Sequence, residues 1–110
     1  MSFSASRQDD ITVIRSEGQL TVNNRQELKT LVAERLEQGD RRFVLDFGET
    51  GYIDSSGLGA LVTIAKQVRE RGGDLRLGGL NDDLRALFEL TKLDTLFSIS
   101  PSASEALAGF

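Results

Sequence analysis

The segment that most constrains this chain is a short apolar run that leads through a small polar turn into an apolar stripe. The run is residues 43–47 (FVLDF), typical of a buried strand, and the turn is residues 51–59 (GYIDSSGLG). Apolar residues then recur at helical spacing: Leu58, Leu61, Val62, Ala65 and Val68. This strand–turn–helix unit places two serine hydroxyls and a carboxylate at a helix N-terminus, which favours a phosphate.

Two strands and a helix are predicted before this segment. Residues 2–8 are expected to form an edge strand, which turns at Asp9-Asp10 into a second strand at residues 11–16. Gly18 interrupts that strand, and residues 19–21 continue it after a bend.

The helix that follows is predicted from its start and stop signals. Asn24 and Glu27 have the spacing of a capping box, with Asn in place of Ser or Thr, and Gly39 is the expected C-terminal stop. The apolar stripe between them is Leu28, Leu31, Val32 and Leu36.

The elements after the polar turn complete the fold prediction. They are a helix over residues 56–71, a strand at 74–77, a short helix capped by Asn81, a strand at 97–99 and a final helix with Pro101 in its first position. Strands that alternate with helices indicate an α/β fold, with a mixed sheet of about four to five strands covered by about four helices. We expect one domain over residues 1–110, with the polar turn at the carboxyl edge of the sheet, where sites gather.

Composition excludes several kinds of site. The chain has no cysteine and no histidine, which rules out thiol catalysis, a Ser-His-Asp triad and metal sites built on those ligands. No dense acidic loop suggests a carboxylate-only metal site, so no metal or cofactor is expected. A net charge of −4 without a long basic run argues against nucleic acid as a partner. No apolar run approaches the roughly 20 residues that span a bilayer, and no signal peptide is visible, so we expect a cytoplasmic protein without membrane insertion.

The polar turn matches none of the common catalytic or phosphate-binding motifs. A P-loop needs a Gly-Lys-Ser/Thr ending, but no lysine follows until Lys66. The dinucleotide fingerprint and the nucleophile elbow are absent as well. A purely structural interpretation is available, in which Asp54 or Ser55 caps the helix while Gly57 and Gly59 permit close backbone packing and leave the hydroxyl uncovered.

Residues 53–59 (IDSSGLG) strongly resemble the signature of anti-sigma factor antagonists, the single-domain members of the STAS family. The resemblance extends over nearly the whole chain. The other segments that resemble family features are residues 18–20 (GQL), 43–47 (FVLDF), 72–75 (GGDL) and 84–93 (LRALFELTKL). The resemblance implies a STAS-type fold and a regulatory protein without catalytic activity of its own.

The resemblance also implies a switch. The serine that directly follows the motif aspartate, here Ser55, is the phosphate acceptor, with Ser56 as the alternative. The unphosphorylated antagonist binds an anti-sigma factor that is itself a serine kinase, and this frees a sigma factor. Phosphorylation ends the interaction, and a PP2C-type phosphatase restores it.

The expected contact surface lies around that serine. Asp54 is expected to orient the serine loop, Gly57 to expose it, and the neighbouring loop to contribute to docking. The predicted partner-binding residues are Thr21, Asn23, Asn24, Asp54, Ser56, Gly57 and Leu58. Thr21 stands where many antagonists have an aspartate, and Gln19 replaces their glutamate, so the acidity beside the serine is reduced.

Two other functions compete with the switch. The first is a non-switching STAS scaffold, a subunit of a lipid-transport ABC complex or of a stress-sensing assembly, with Ser55 as a helix cap at a permanent interface. The second is a receptor for a small ligand such as a nucleotide, which the missing phosphate-binding motifs disfavour.

Overall fold

The computed structural model, which describes residues 2–110, has five strands and four α-helices, and strands and helices alternate after the first two strands. They are β1 (Phe3–Gln8), β2 (Ile11–Leu20), α1 (Arg25–Glu37), β3 (Arg42–Ile53), α2 (Ser55–Glu70), β4 (Asp74–Gly78), α3 (Asp82–Leu90), β5 (Ser98–Ser100) and α4 (Ala103–Ala108), with a 3-10 turn at Leu93–Thr95 before β5. The predicted α/β class and mixed sheet are confirmed.

The strands lie side by side in chain order and form one sheet. β1 pairs with β2 antiparallel, and every later neighbour is parallel. Because the carboxyl ends of parallel strands meet at one edge, the loops after β2 and β3 emerge together. Leu20, the last residue of β2, pairs with Ile53, the last residue of β3. The predicted polar turn therefore lies beside the β2–α1 loop.

Both faces of the sheet are covered by helices, to different extents. The larger core contains side chains from α1, α2 and α3, among them Leu28, Leu61 and Phe88, each no more than 1% exposed. A smaller cluster on the opposite face joins Val44 of β3 to Ala106 of α4. The larger core fixes α2 against the sheet, and with it the position of the polar turn.

The signals at the ends of α1 are only partly confirmed. Leu28, Val32 and Leu36 are buried as predicted, and Gly39 has a φ of 100°, which suits a glycine after a helix. The capping box is wrong, because the Asn24 side chain makes no cap hydrogen bond to the helix. Its carboxamide bonds backward into the preceding loop instead.

Two other boundaries differ from the prediction. The strand expected at residues 43–47 continues to Ile53, because its second half pairs with the end of β2 through two register shifts. Pro101 is not the first residue of the last helix. Ser102 is the N-cap, since its hydroxyl accepts a hydrogen bond from the Glu105 amide at 3.1 Å, and Pro101 precedes it.

A buried carboxylate stabilises the edge of the sheet opposite the polar turn. Asp40, which is 5% exposed, lies between α1 and β3. It accepts a hydrogen bond from the Thr12 hydroxyl at 2.7 Å and an ion-paired hydrogen bond from Arg7 of β1. The Arg35 guanidinium of α1 lies 4.0 Å away. One side chain thus joins β1, β2 and α1.

We expect Asp40→Ala to lower the free energy of unfolding by about 2–4 kcal/mol, because the buried Thr12 hydroxyl loses its partner together with two ionic contacts. Urea denaturation measures this effect. The matched control is Asp10→Ala, whose carboxylate pairs with Arg42 at 3.1 Å between exposed side chains and should cost less than about 1 kcal/mol. Equal losses in the two variants would contradict a structural role for the buried network.

Candidate functional site

Asp54 caps the helix that begins at the polar turn. It follows β3 directly and has extended backbone, with φ −86° and ψ 178°. Its Oδ1 atom accepts hydrogen bonds from the Gly57 amide and from the Ser56 hydroxyl, both at 2.7 Å. Of the two caps that the sequence left open, Asp54 or Ser55, the structure has Asp54.

The same carboxylate reaches the neighbouring loop. Oδ2 of Asp54 accepts a hydrogen bond from the Val22 amide at 3.2 Å, and the Asp54 amide donates to the Leu20 carbonyl at 3.1 Å. The Ser56 hydrogen bond and then the Gly57 amide hold the pKa of the Asp54 carboxyl below its ordinary value, against the opposing effect of burial. An ionised carboxylate therefore connects the N-terminus of α2 to the loop after β2.

The β2–α1 loop is held in shape by hydrogen bonds from its own side chains. The Asn24 Oδ1 atom accepts from the Thr21 amide at 2.9 Å, while its Nδ2 group donates to the Gln19 carbonyl at 2.7 Å. The Thr21 hydroxyl accepts from the Asn23 amide at 3.2 Å. Predicted contact residues Thr21, Asn23 and Asn24 thus form one closed loop beside Asp54. We call residues 21–24 together with 54–57 the serine corner.

The two serines of the corner have different surroundings. Ser55 is exposed, and its hydroxyl makes no hydrogen bond within residues 2–110. Ser56 is half-buried, and its hydroxyl donates to Asp54. A hydroxyl without an internal partner can react without breaking any contact of the fold. Ser55 therefore has the more accessible hydroxyl of the two.

The two glycines of the motif serve different needs. A Cβ atom on Gly57 would lie 2.5 Å from the Leu20 carbonyl oxygen and 2.9 Å from Cγ2 of Ile53. Gly57 is therefore required for α2 to pack against the ends of β2 and β3. A Cβ atom on Gly59 would meet nothing within 4 Å. The expectation that both glycines permit close internal packing is correct for Gly57 and wrong for Gly59.

Leu58 is buried, unlike most of the other predicted contact residues. Its side chain is 8% exposed and belongs to the main core. Leu58 and Gly57 are both buried, so any contribution that they make to docking comes through the position of α2. Asp54, Thr21, Asn23, Asn24 and Ser56 are exposed or half-buried.

Sequence reasoning missed two exposed apolar residues, Val22 within the serine corner and Tyr52 two positions before Asp54. Val22, at the tip of the β2–α1 loop, is 60% exposed, and Tyr52, which pairs with Gln19, is 52% exposed. Single exposed apolar side chains are normal on a protein surface, so these two add apolar area at the corner without by themselves marking an interaction surface. The signal for Tyr52 was its place next to the inward-facing Ile53, since successive strand residues point to opposite faces.

No metal or membrane site accompanies the corner in the part of the chain that the structure describes. Among residues 2–110, no three Asp or Glu side chains come together as metal ligands. None of the helices in this range has the length and the apolar composition needed to cross a bilayer.

The profile of the STAS domain family matches residues 2–106, and the chain belongs to that family. Its relatives carry a more specific name. BtrV of Bordetella bronchiseptica, provisionally named an anti-sigma factor antagonist, is 31% identical over 110 residues, which cover 100% of this chain and 95% of that protein. The anti-sigma-B factor antagonist of Staphylococcus aureus is 26% identical over 100 residues, covering 91% of this chain and 93% of that protein.

A solved structure agrees with these relatives. A protein of Thermotoga maritima, also provisionally named an anti-sigma factor antagonist, superimposes with a TM-score of 0.90 at 28% identity. The superposition covers 97% of this chain and 92% of that one. The five-stranded mixed sheet with its four helices thus matches a known STAS fold.

We expect Gly57→Ala to lower the free energy of unfolding by about 1–3 kcal/mol, since the added methyl group meets backbone rather than a flexible side chain. This loss of stability is measured by thermal denaturation monitored by circular dichroism. Gly59→Ala is the matched control, and it should leave stability unchanged or raise it by up to about 1 kcal/mol, because alanine is the better helix former. A Gly57→Ala protein as stable as the control would contradict the packing role.

The lowered pKa of Asp54 predicts a pH-dependent effect of Asp54→Asn. Because the folded state favours the ionised carboxylate, its contribution to stability is complete above the unfolded pKa of about 3.9 and is lost as the pH falls through the lower folded value. The difference in unfolding free energy between wild type and Asp54→Asn should be largest near neutral pH and shrink below about pH 4. Urea denaturation between pH 7 and pH 3 tests this, and a difference that does not change with pH would contradict it.

Proposed function

We propose that this protein is an anti-sigma factor antagonist switched by reversible phosphorylation of Ser55. In its unphosphorylated form it binds an anti-sigma factor that is a serine kinase, and this binding releases a sigma factor. The observation that carries the proposal is the exposed, unbonded Ser55 hydroxyl at the N-terminus of a helix whose cap is already supplied by Asp54. The names of the relatives support the partner class.

The proposed switch uses charge rather than unfolding. A phosphate on Ser55 adds roughly −1.5 to −2 charges. The N-terminus of α2 tolerates an anion, which gains about 0.3–1 kcal/mol there. The Ser55 hydroxyl makes no internal hydrogen bond within residues 2–110, so the phosphate displaces none. Pressed against a partner surface next to the ionised Asp54, the same charge is costly.

The chemistry of the switch belongs to the partners. In the forward step, the Ser55 Oγ atom forms a bond to the γ-phosphorus of ATP, the bond to the β-phosphate oxygen breaks, and ADP leaves. The kinase supplies the base for the hydroxyl proton, since Asp54 is a weak base with its carboxylate held by three donors. A PP2C-type phosphatase then hydrolyses the phosphate ester with water. This chain is the substrate in both directions and not an enzyme.

The docking surface we propose is the exposed part of the serine corner, including Thr21, Asn23 and Asn24. Val22, within the corner, and Tyr52, near the end of β3, add apolar area. The loop is already closed by its own hydrogen bonds, so little conformational entropy is lost when a partner binds. We place the encounter in the cytoplasm, where ATP, kinase and sigma factor are available together.

Ser55→Ala should bind the anti-sigma factor kinase whether or not ATP is present, and Ser55→Asp should bind at least tenfold more weakly than wild type. Calorimetry with purified kinases from the same organism measures both. Ser6→Asp is the matched control, because it adds the same charge at an exposed serine on β1 and should bind like wild type.

Incubation of the wild-type protein with ATP and the kinase that binds it, followed by mass mapping, should place the phosphate on Ser55. Ser56→Ala should still be phosphorylated. Phosphate on Ser56 alone would overturn the assignment of the acceptor. A stable complex with a membrane ATPase, with Ser55 unmodified and its variants binding equally, would favour the non-switching scaffold instead.

A further inference from the structure

Among residues 2–110, β1 forms an edge of the sheet that no other strand covers, since its one neighbour is β2. The Glu17 amide donates a hydrogen bond to the Ser2 carbonyl at 2.9 Å, one position before the pair formed by Phe3 and Ser16. In an antiparallel ladder, opposite residues alternate between pairs that exchange hydrogen bonds and pairs that do not. The even-numbered residues of β1 therefore bond to β2. The odd-numbered residues turn their N–H and C=O groups away from it: Phe3, Ala5 and Arg7.

No feature of β1 protects this edge against another strand. Proteins usually protect an exposed edge with proline, lysine, a bulge or an inward-pointing charge. β1 contains neither proline nor lysine, and its register with β2 is continuous over all six residues. Its one charged residue, Arg7, forms an ion pair with Asp40 of the same chain. The outward donors and acceptors can therefore pair with a further strand.

The outward residues of β1 match an antiparallel copy of themselves. Ala5 is the middle one of the three, so a two-fold axis at this residue places Ala5 opposite Ala5. The same axis places Phe3 of each copy opposite Arg7 of the other. No like charges face each other in these pairs.

The groove between β1 and α1, about 540 Å³ in volume, has a matching arrangement of charges. Leu31 lines it together with Ala5, and both pack against the core. Glu27 and Arg35 lie four residues before and after Leu31, about one helical turn each way. Glu34 lines the same groove, but it is exposed and is rotated by about 100° from Arg35.

α1 runs along β1 in a direction that suits the same two-fold axis. The Arg35 guanidinium lies 4.0 Å from the Asp40 carboxylate with which Arg7 is paired, so Arg35 lies at the Arg7 end of the strand. Glu27, two turns earlier, lies towards Phe3 at the other end. An axis near Ala5 that reverses one copy therefore brings Glu27 of each copy towards Arg35 of the other.

We propose that a second copy of this chain occupies the β1 edge, so that two antiparallel β1 strands join the sheets of two copies. The three residue pairs exchange about six backbone hydrogen bonds, and the two α1 helices lie side by side above them. The occupant is a second copy because both the strand and the charges of α1 complement their own reversed arrangement. The axis also reverses the carboxyl edge of the sheet, so the two serine corners lie at opposite edges of the joined sheet and both stay exposed.

The mass in solution tests the dimer. Sedimentation equilibrium between about 1 μM and about 1 mM, a range suited to a small interface, should show the wild-type mass rising from one chain towards two. Ala5→Pro should weaken this association by about tenfold or more, because proline lacks the outward N–H donor. Its melting temperature at low concentration should exceed that of Ser6→Pro, the matched control, which removes a donor that β2 uses. The reverse order of melting temperatures would overturn the assignment of the outward groups.

A pair of charge reversals tests the contact between the α1 helices. Glu27→Lys should weaken self-association by about fivefold or more, because two symmetry-related attractions become repulsions. Glu70→Lys makes the same change in net charge at an exposed position on α2 and should associate like wild type. Equal weakening in the two variants would overturn the proposed placement of α1.

Amide hydrogen exchange identifies the surface that pairs. In concentrated wild-type protein the amides of the outward residues should become protected, whereas those of the even-numbered residues of β1 should be protected at every concentration. A chain that stays monomeric up to about 1 mM, or a dimer without this added protection, would overturn the inference. Protection of the outward amides only after an anti-sigma factor is added would assign the edge to that partner and would also overturn it. Ser55→Asp should dimerise like wild type, so failure of the phosphorylation switch and failure of the dimer are separate results.

Discussion

The carboxylate of Asp54 is the interaction on which the rest of the site depends. Its Oδ1 atom accepts hydrogen bonds from the Ser56 hydroxyl and the Gly57 amide at the start of α2. Its Oδ2 atom accepts one from the Val22 amide in the β2–α1 loop. Because these donors favour the ionised form, the bonds are charge-assisted and stronger than neutral ones. The β2–α1 loop and the N-terminus of α2 therefore share one anchor, and a movement of either would cost the other its partner.

This anchor leaves the hydroxyl of the residue between Asp54 and Ser56 without a role in the fold. Asp54 supplies the cap and Ser56 supports it, so Ser55 between them has no structural duty that its hydroxyl must fulfil. A modification can then change the surface charge at the corner while the cap, the core and the loop stay as they are. The opposite edge of the sheet is stabilised by Asp40, which precedes β3 and lies at the end of that strand away from the corner.

The alternation of strands and helices predicted the sheet and the position of the polar turn at its carboxyl edge. Two kinds of detail could not be read from the chain. Asn24 had the local pattern of a cap, but its carboxamide could bond to either side, and the nearby Gln19 carbonyl and Thr21 amide took it. β3 continues past Gly48 because β2 lies beside it, a partner that local sequence does not reveal.

The sequence alone does not distinguish the roles of the glycines at positions 57 and 59. Both follow Ser55 in the same short motif, and nothing in the residues themselves separates their roles. The tertiary structure separates their roles, because Gly57 faces the Leu20 carbonyl and Gly59 faces open space. Gly59 lowers the helix propensity of α2, and an alanine would fit in its place. The motif thus contains one glycine that the packing of α2 requires, Gly57, and one that no contact within residues 2–110 requires, Gly59.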